Sequence, residues 1–277
     1  MSETLPPLVL LHEDDDVVAV QKPSGEPVIP TRDVSAPDCV QRRLERQLGR
    51  RLWVVHRIDK DASGVVVFAL NADAHRALSL AFERRQVSKA YTAFVAGSIE
   101  PPQGRLDVPL HPARKGKTRP ARPGEPGAQA AETEYATRKR WTLAADSSSP
   151  GATEALDGQA LAEALPWGRR RPDGGTRNDS IVSLLEALPH TGRHHQIRVH
   201  LRAAGVPILF DPLYGRGLMP EALAGAPCTR LALHARRIDL PAPRGEGRLV
   251  IEAPLAPDLA ALAEWLDACG RGEPSGA

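Results

Sequence analysis

The sequence predicts an α+β protein, and three observations carry that expectation. Short β-prone runs and amphipathic segments alternate along the chain without the regular strand–helix–strand rhythm of a doubly wound sheet. The composition, 42% hydrophobic and 25% charged, is that of a globular chain and not of a disordered or fibrous one. At 277 residues the chain can close a core of its own, and its densest polar clusters fall between the regular runs, where loops carry function.

The elements follow in order. Residues 17–21 are β-prone after the acidic stretch 13–16, and Lys22-Pro-Ser-Gly25 ends the run with turn residues, so a strand enters a loop. Val40, Leu44 and Leu48 are four apart, which predicts a surface helix between Asp38 and Gly49. Residues 53–55 and 65–70 are β-rich and bracket a polar loop from His56 to Gly64. Residues 73–85 place Ala74, Ala77, Leu78, Ala81 and Phe82 on one helical face, with Asp73 as the cap and Arg84-Arg85 at the end. Residues 91–97 alternate like a strand. Residues 111–131, rich in Pro, Gly, Arg and Lys, read as a mobile basic loop, and 144–179 as a second inserted loop around a short helix at 154–165. A strand at 180–188 leads through the turn residues 189–192 to a helix near 195–204, with Ile197, Leu201 and Ala204 on one face and Gly205 as its stop. Residues 230–241 alternate again, and 257–269 form an amphipathic helix on Leu259, Leu262 and Leu266.

The 36 basic and 34 acidic side chains leave a net charge of only +2, so any nucleic-acid partner must be read from local clusters. Lys supplies six of the basic residues and Arg thirty, a bias that suits phosphate recognition but also follows from a GC-rich genome. Cys39, Cys228 and Cys269 are odd in number and far apart, so neither a disulfide framework nor a zinc site is expected. Without a signal-peptide pattern or a long apolar run, the chain reads as cytoplasmic with no membrane partner.

Two blocks concentrate chemistry. His56-Arg-Ile-Asp-Lys-Asp-Ala-Ser-Gly64 packs two carboxylates, three bases and a hydroxyl into nine residues leaving a strand. Taken alone, it is also compatible with a solvated turn. In His190-Thr-Gly-Arg-His-His-Gln-Ile-Arg-Val-His-Leu201, the helical His pairs are five and six apart, not the i, i+4 of a helical zinc pair, so no metal is expected. Helix N-terminal amides beside Arg193 suit a phosphate instead.

Four stretches in order resemble the RluA family of pseudouridine synthases. Asp16-Val-Val-Ala-Val-Gln-Lys-Pro-Ser-Gly25 is similar to its strand and K-P-S/A-G loop, and His56-Arg-Ile-Asp59 with Ser63-Gly64 to H-R-L-D-x-x-T-S-G. Lys89-Ala-Tyr91 with Ala93, Val95 and Gly97 is similar to K-x-Y-x-A-x-V-x-G, and residues 191–201 to T-G-R-T-H-Q-I-R-V-H-L, continuing through Asp211-Pro-Leu-Tyr-Gly215 to His234-Ala235. The resemblance covers about residues 9–255 outside the two inserted loops. Three positions depart from the pattern. Ala62 stands for Thr and removes a hydroxyl hydrogen bond near the loop, His194 stands for Thr or Ser, and Phe210 stands for Gly.

The resemblance implies a central mixed, largely antiparallel sheet with flanking helices and a catalytic cleft across it, all in one catalytic domain over residues 1–277 with no separate N-terminal RNA-binding domain. It implies isomerisation of a uridine in ribosomal or transfer RNA to pseudouridine, with no metal or organic cofactor, by a monomer needing no protein partner. Asp59 would be the catalytic carboxylate, acting at C1′ of the sugar or assisting deprotonation at C2′. Arg198 would offset its charge, and Tyr91 would stack on the base and handle the C5 proton. Arg57 would fill the space vacated by the flipped nucleotide. Lys22, Arg193 and His195 would add RNA contacts. An RNA-binding module without catalysis and a hydrolase pairing Asp59 with a histidine are the rival classes.

Overall fold

The computed structural model describes residues 5–30, 38–143, 181–215, 220–245 and 247–274. These group into two compact units, one of residues 1–92 and 233–257, the other of residues 93–232 and 258–277.

The first unit is built on a sheet. β1 (Leu10–Glu13) and β2 (Val17–Lys22) form an antiparallel pair, and β2 runs antiparallel to β4 (Ser63–Ala69), every residue of which is buried. The other edge of β4 is shared. At its end it pairs antiparallel with β3 (Trp53–Val54), and at its start parallel with β11 (Leu233–Pro241), where His234 lies opposite Ser63 and Ala235 opposite Gly64. β12 (Arg248–Glu252) continues antiparallel on β11. Gly64 is required at the parallel junction. Its φ is +118°, and a Cβ there would lie 2.2 Å from the Ala235 carbonyl oxygen.

Two helices accompany this sheet. α1 (Val40–Leu48) buries Val40 and Leu44 and ends on Gly49 in the left-handed region, as the spacing predicts. α2 (Ala72–Glu83) buries Ala74, Leu78 and Ala81. Its cap is Asn71 rather than Asp73: the Asn71 side chain accepts the Ala74 N–H at 2.9 Å, and Asp73 lies in the first turn, where its charge suits the helix dipole.

β5 (Ser88–Ala96) carries the chain into the second unit, where it lies beside β10 (Ile181–Pro189). β10 pairs antiparallel with the long β9 (Thr133–Leu143). β6 (Gln103–Leu106) and β13 (Gly270–Pro274) share the far edge of β9. The basic segment 111–131 is only partly a loop. β7 (Leu110–Ala113) and β8 (Lys117–Pro120) form an antiparallel hairpin there, because Leu110 and Ala131 can be buried against Val199 with Tyr214 packed alongside. α3 (Gln196–Ala203) buries residues 196–201 in succession and stops at Gly205, and α4 (Pro257–Cys269) buries Leu259, Leu262 and Leu266. Trp141 stacks on Phe94 and donates its indole N–H to Asp267 at 2.6 Å. The expected loop at 144–179, with its helix and Arg169-Arg170-Arg171, lies outside the described residues.

Candidate active site

Residues 55–62 connect β3 to β4 and hold Asp59 half-buried, between buried Ile58 and exposed Lys60. Apart from Val55, Ile58 and Ala62 the loop is polar, and hydrogen bonds to its backbone hold it. The Lys60 carbonyl accepts from Lys22 Nζ at 2.8 Å and from the Gly25 N–H at 2.9 Å, and the Asp61 carbonyl accepts from Ser24 Oγ at 2.5 Å. Ala62 N–H closes a turn on the Asp59 carbonyl at 3.2 Å. The K-P-S-G segment is therefore the brace of the loop that carries Asp59, and it works through the backbone whether position 62 is Thr or Ala.

Lys22 corrects one expectation. It is fully buried, and its ammonium donates to the carbonyls of Pro23 (2.7 Å), Glu26 (2.7 Å) and Lys60 (2.8 Å). A side chain whose three N–H donors are aimed at backbone oxygens in the interior does not present itself to an RNA phosphate. Its work is to join the two loops.

His56 anchors the start of the loop. Its ring stacks on Phe82 with centroids 5.1 Å apart, and Nε2 accepts the Val67 N–H at 3.0 Å. Burial, helped by the charge of Lys89, pushes its pKa down to about 3, so the ring is a neutral acceptor. Burial also lowers the pKa of Lys89. At the exit, Ser63 Oγ and His234 Nδ1 are 2.9 Å apart, both buried, tying the first residue of β4 to β11.

Tyr91, on β5, is half-buried in the same unit as Asp59. Burial first, and then the Asp59 charge, push its hydroxyl well above the usual phenol range, so it stays protonated and can donate. Arg57 is exposed, two residues before Asp59. The first unit thus brings Asp59, Tyr91, Arg57 and the bracing Lys22 together.

Arg193, His195 and Arg198 form a second set, in the second unit. Arg198 is buried on α3, and its Nε and Nη2 each reach an Asp211 oxygen at 2.8 Å. Asp211 Oδ1 also accepts the N–H groups of Leu213 (2.9 Å) and Tyr214 (3.0 Å). Burial alone would raise the Asp211 pKa, but the Arg198 hydrogen bonds and charge and these two amides hold it below the usual value. Gln196 shapes the turn before the helix: its carbonyl oxygen accepts from Thr191 Oγ1 and the Arg193 N–H, and its amide donates to the Glu132 carbonyl and Thr133 Oγ1. Arg193 Nε donates to the Ala130 carbonyl. His195 has φ +54° at the helix cap, and its Nδ1 is 2.8 Å from the Tyr214 hydroxyl. Phe210, where the resembling motif has Gly, has φ +57°, a left-handed backbone that explains why Gly suits the position.

Sequence reasoning saw Asp211 and Tyr214 only as part of a motif. Their link to Arg198 is a tertiary contact, although the recurrence of an acid after a helix Arg was available as a signal. Of the four histidines of the second block, His200 is buried with Nε2 on the Val108 carbonyl and Nδ1 on Thr133. His190, Glu132 and Glu134 place ligating atoms within 4.8 Å of one another and could hold a cation. Arg105 donates to Glu132 at 2.6 Å and His190 Nε2 is 3.1 Å from Glu134, so the carboxylates already face cationic or polar partners.

Comparison with known proteins places this geometry. The sequence profile for RNA pseudouridylate synthases matches residues 16–203, from the end of the first acidic stretch to the end of α3. The chain belongs to that family. It is 33% identical over 249 residues, 90% of this chain and 94% of the relative, to the dual-specificity RNA pseudouridine synthase RluA of Escherichia coli K12. It is 30% identical over 264 residues, 92% of this chain and 64% of the relative, to the ribosomal large subunit pseudouridine synthase D of Nitrosomonas europaea. Two solved human structures share the fold. RNA pseudouridylate synthase domain containing 4 gives a TM-score of 0.65 at 24% identity over 94% of this chain and 93% of its own. Domain containing 1 gives 0.67 at 20% over 100% and 93%. The expected α+β fold with a mixed sheet is the fold of this synthase, and its enzyme class is that of an isomerase acting on uridine in RNA. Among the described residues no helix is long and apolar enough to cross a membrane.

Proposed function

We propose that this synthase isomerises a specific uridine of ribosomal or transfer RNA, with Asp59 as its catalytic carboxylate. The reaction breaks the C1′–N1 bond, forms C1′–C5, and takes a proton from C5 while N1 gains one, so mass and redox state are conserved and neither metal nor organic cofactor is called for. The observation that carries the reading is the braced loop. Three hydrogen bonds from the K-P-S-G segment fix the two carbonyls that follow Asp59, in the same unit as a tyrosine held in its protonated form. Such fixation keeps a carboxylate at one position relative to a reacting sugar, which is where much of an enzyme's advantage lies.

In this reading Tyr91 stacks on the base and its hydroxyl relays the C5 proton, and Arg198 is the cationic partner of the catalytic carboxylate. Exposed Arg57 occupies the space left by a flipped nucleotide, and Arg193 and His195 contact the RNA strand. The names of the relatives, a dual-specificity RNA pseudouridine synthase and a ribosomal large subunit pseudouridine synthase, support RNA, and in the second case ribosomal RNA, as the class of substrate. The same reading has the enzyme acting in the cytoplasm as a monomer without an obligatory protein partner. His56, held neutral and occupied by Val67, is not an acid–base partner for Asp59, which weighs against the hydrolase alternative.

The test is a pseudouridine map of RNA from cells with and without the gene, followed by Asp59→Asn on the mapped substrate. The expected result is loss of isomerisation while RNA affinity falls by less than about tenfold, because phosphate contacts stay intact. Wild-type turnover in the variant would remove Asp59 from the chemistry.

A further inference from the structure

We infer that the His194–His195 imidazole pair is a stacking platform for an unpaired base of the RNA substrate. The inference rests on the reading of the chain as an enzyme of RNA. His194 is exposed, and its ring lies over that of His195 with centroids 3.7 Å apart and planes 26° from parallel. The lower ring is fixed at its edge: His195 Nδ1 bonds the Tyr214 hydroxyl, and Tyr214 meets it edge-on at 5.6 Å. The upper ring is fixed as well, with His194 Nδ1 3.1 Å from Thr118 Oγ1, while the Thr118 N–H donates to the same Tyr214 hydroxyl at 2.9 Å. Tyr214 in turn lies under the guanidinium of Arg198, itself anchored to Asp211. The hairpin β7–β8 and the α3 cap thus hold two rings in one stack, and Lys117, next to Thr118, is exposed to draw in a phosphate backbone.

A metal ligand set would need ring nitrogens converging on a point, whereas these rings lie face to face with both Nδ1 atoms bonded to hydroxyls. A phosphate grip would need ring N–H groups turned outward, and the Nδ1 edge of each ring is already engaged, His194 with Thr118 and His195 with Tyr214. What remains is an aromatic surface whose orientation is set in advance, and every nucleobase has a π-face to lay on it. His194 stands where the resembling motif has Thr or Ser, so the platform distinguishes this chain from relatives that keep the small residue.

The probe is a stem-loop RNA with an unpaired uridine-containing loop, carrying 2-aminopurine in turn at each loop position. Binding to the wild type should quench the fluorophore at one of them. His194→Ala and His194→Thr should abolish that quenching and weaken RNA binding about five- to thirtyfold, and His194→Phe should restore both to within about threefold. Thermal melting of each variant checks that it is folded; if the Ala variant is not, Phe against Thr decides the question. Quenching and affinity indifferent to residue 194, or a Phe variant as weak as Ala, would overturn the platform. Quenching that follows residue 194 in a protein that isomerises no uridine would overturn the proposed reaction and leave the platform standing.

Discussion

Replacing Asp211 by Asn keeps the shape of the side chain and removes its charge. In the native protein both Arg198 and Asp211 are 1% exposed at the side chain, and Asp211 collects two guanidinium N–H groups and two backbone amides within 3.0 Å. An Asn amide can keep its oxygen on the backbone amides, but its NH₂ then faces Arg198 Nε, donor against donor. Breaking a buried ion pair in this way costs about 3–5 kcal/mol. At about 2.1 cal/mol/K of unfolding entropy per residue, a chain of this length loses about 5–9 °C of Tm. The Asp211 pKa is held down, so its contribution is fully present above the unfolded value near 3.9 and is lost only as pH falls through the lower folded value. The deficit should therefore be constant above about pH 5 and shrink in acid. Calorimetry of both proteins from pH 2.5 to 8 measures it, and a variant within about 2 °C of wild type at pH 7 would refute the argument. The double variant Arg198→Met with Asp211→Leu removes both charges and should recover most of the stability. If Arg198 serves the reaction, that recovered protein should still be inactive.

Other expectations follow from single contacts. His56 is held neutral with its pKa near 3, so it stabilises the fold above the unfolded value of about 6.5 and loses that contribution as pH falls; about 2 kcal/mol should go between pH 7 and 5, and His56→Gln should flatten the denaturant-measured profile by that amount, parallel profiles counting against it. Lys22→Met should slow single-turnover isomerisation through the loosened Asp59 loop while leaving the slope of log affinity against log salt unchanged; a slope smaller by about one would restore Lys22 as a phosphate contact. Arg57→Ala should depress activity strongly on folded RNA and much less on an unstructured oligonucleotide containing the same uridine, since flipping a stacked nucleotide costs a few kcal/mol, and an equal loss on both would exclude the flipping role.

The elements that the sequence displays are those whose burial is purely apolar. Leu259, Leu262 and Leu266 announce α4, and the run 65–70 announces β4, because hydrophobicity and burial coincide there. β9 was invisible for the opposite reason. Thr133, Tyr135, Thr137, Trp141 and Leu143 are buried at every second position, but two of them are Thr and Lys139 sits in the same row, so a count of apolar residues sees no alternation. Thr133 is tolerated inside because its hydroxyl meets Gln196 and His200, residues more than sixty positions away. The hairpin at 110–120 was hidden likewise: its charges are on the sequence, whereas Leu110 and Thr118, the residues that dock it, look unremarkable in a basic stretch.

The candidate site shows the same division at a finer scale. The residues proposed to meet the substrate stand in contiguous motifs and could be read directly, but what fixes them could not, since Lys22 reaches Lys60, Ser63 reaches His234 and Arg198 reaches Asp211 across 38, 171 and 13 positions. Each of these is a buried polar contact, and that is a physical necessity. A loop whose apolar residues are Val55, Ile58 and Ala62 has little surface to be held by packing, so its carbonyls must be met by donors, and a donor inside the protein is tolerated only where it finds an acceptor. Lys22 satisfies both requirements at once, supplying donors to the carbonyls of Pro23, Glu26 and Lys60. It follows that substitutions at bracing residues should reduce activity through the position of Asp59 rather than through RNA affinity. On the proposed reading, the Lys in K-P-S-G is a positioning residue, on the interior side of the loop that carries Asp59.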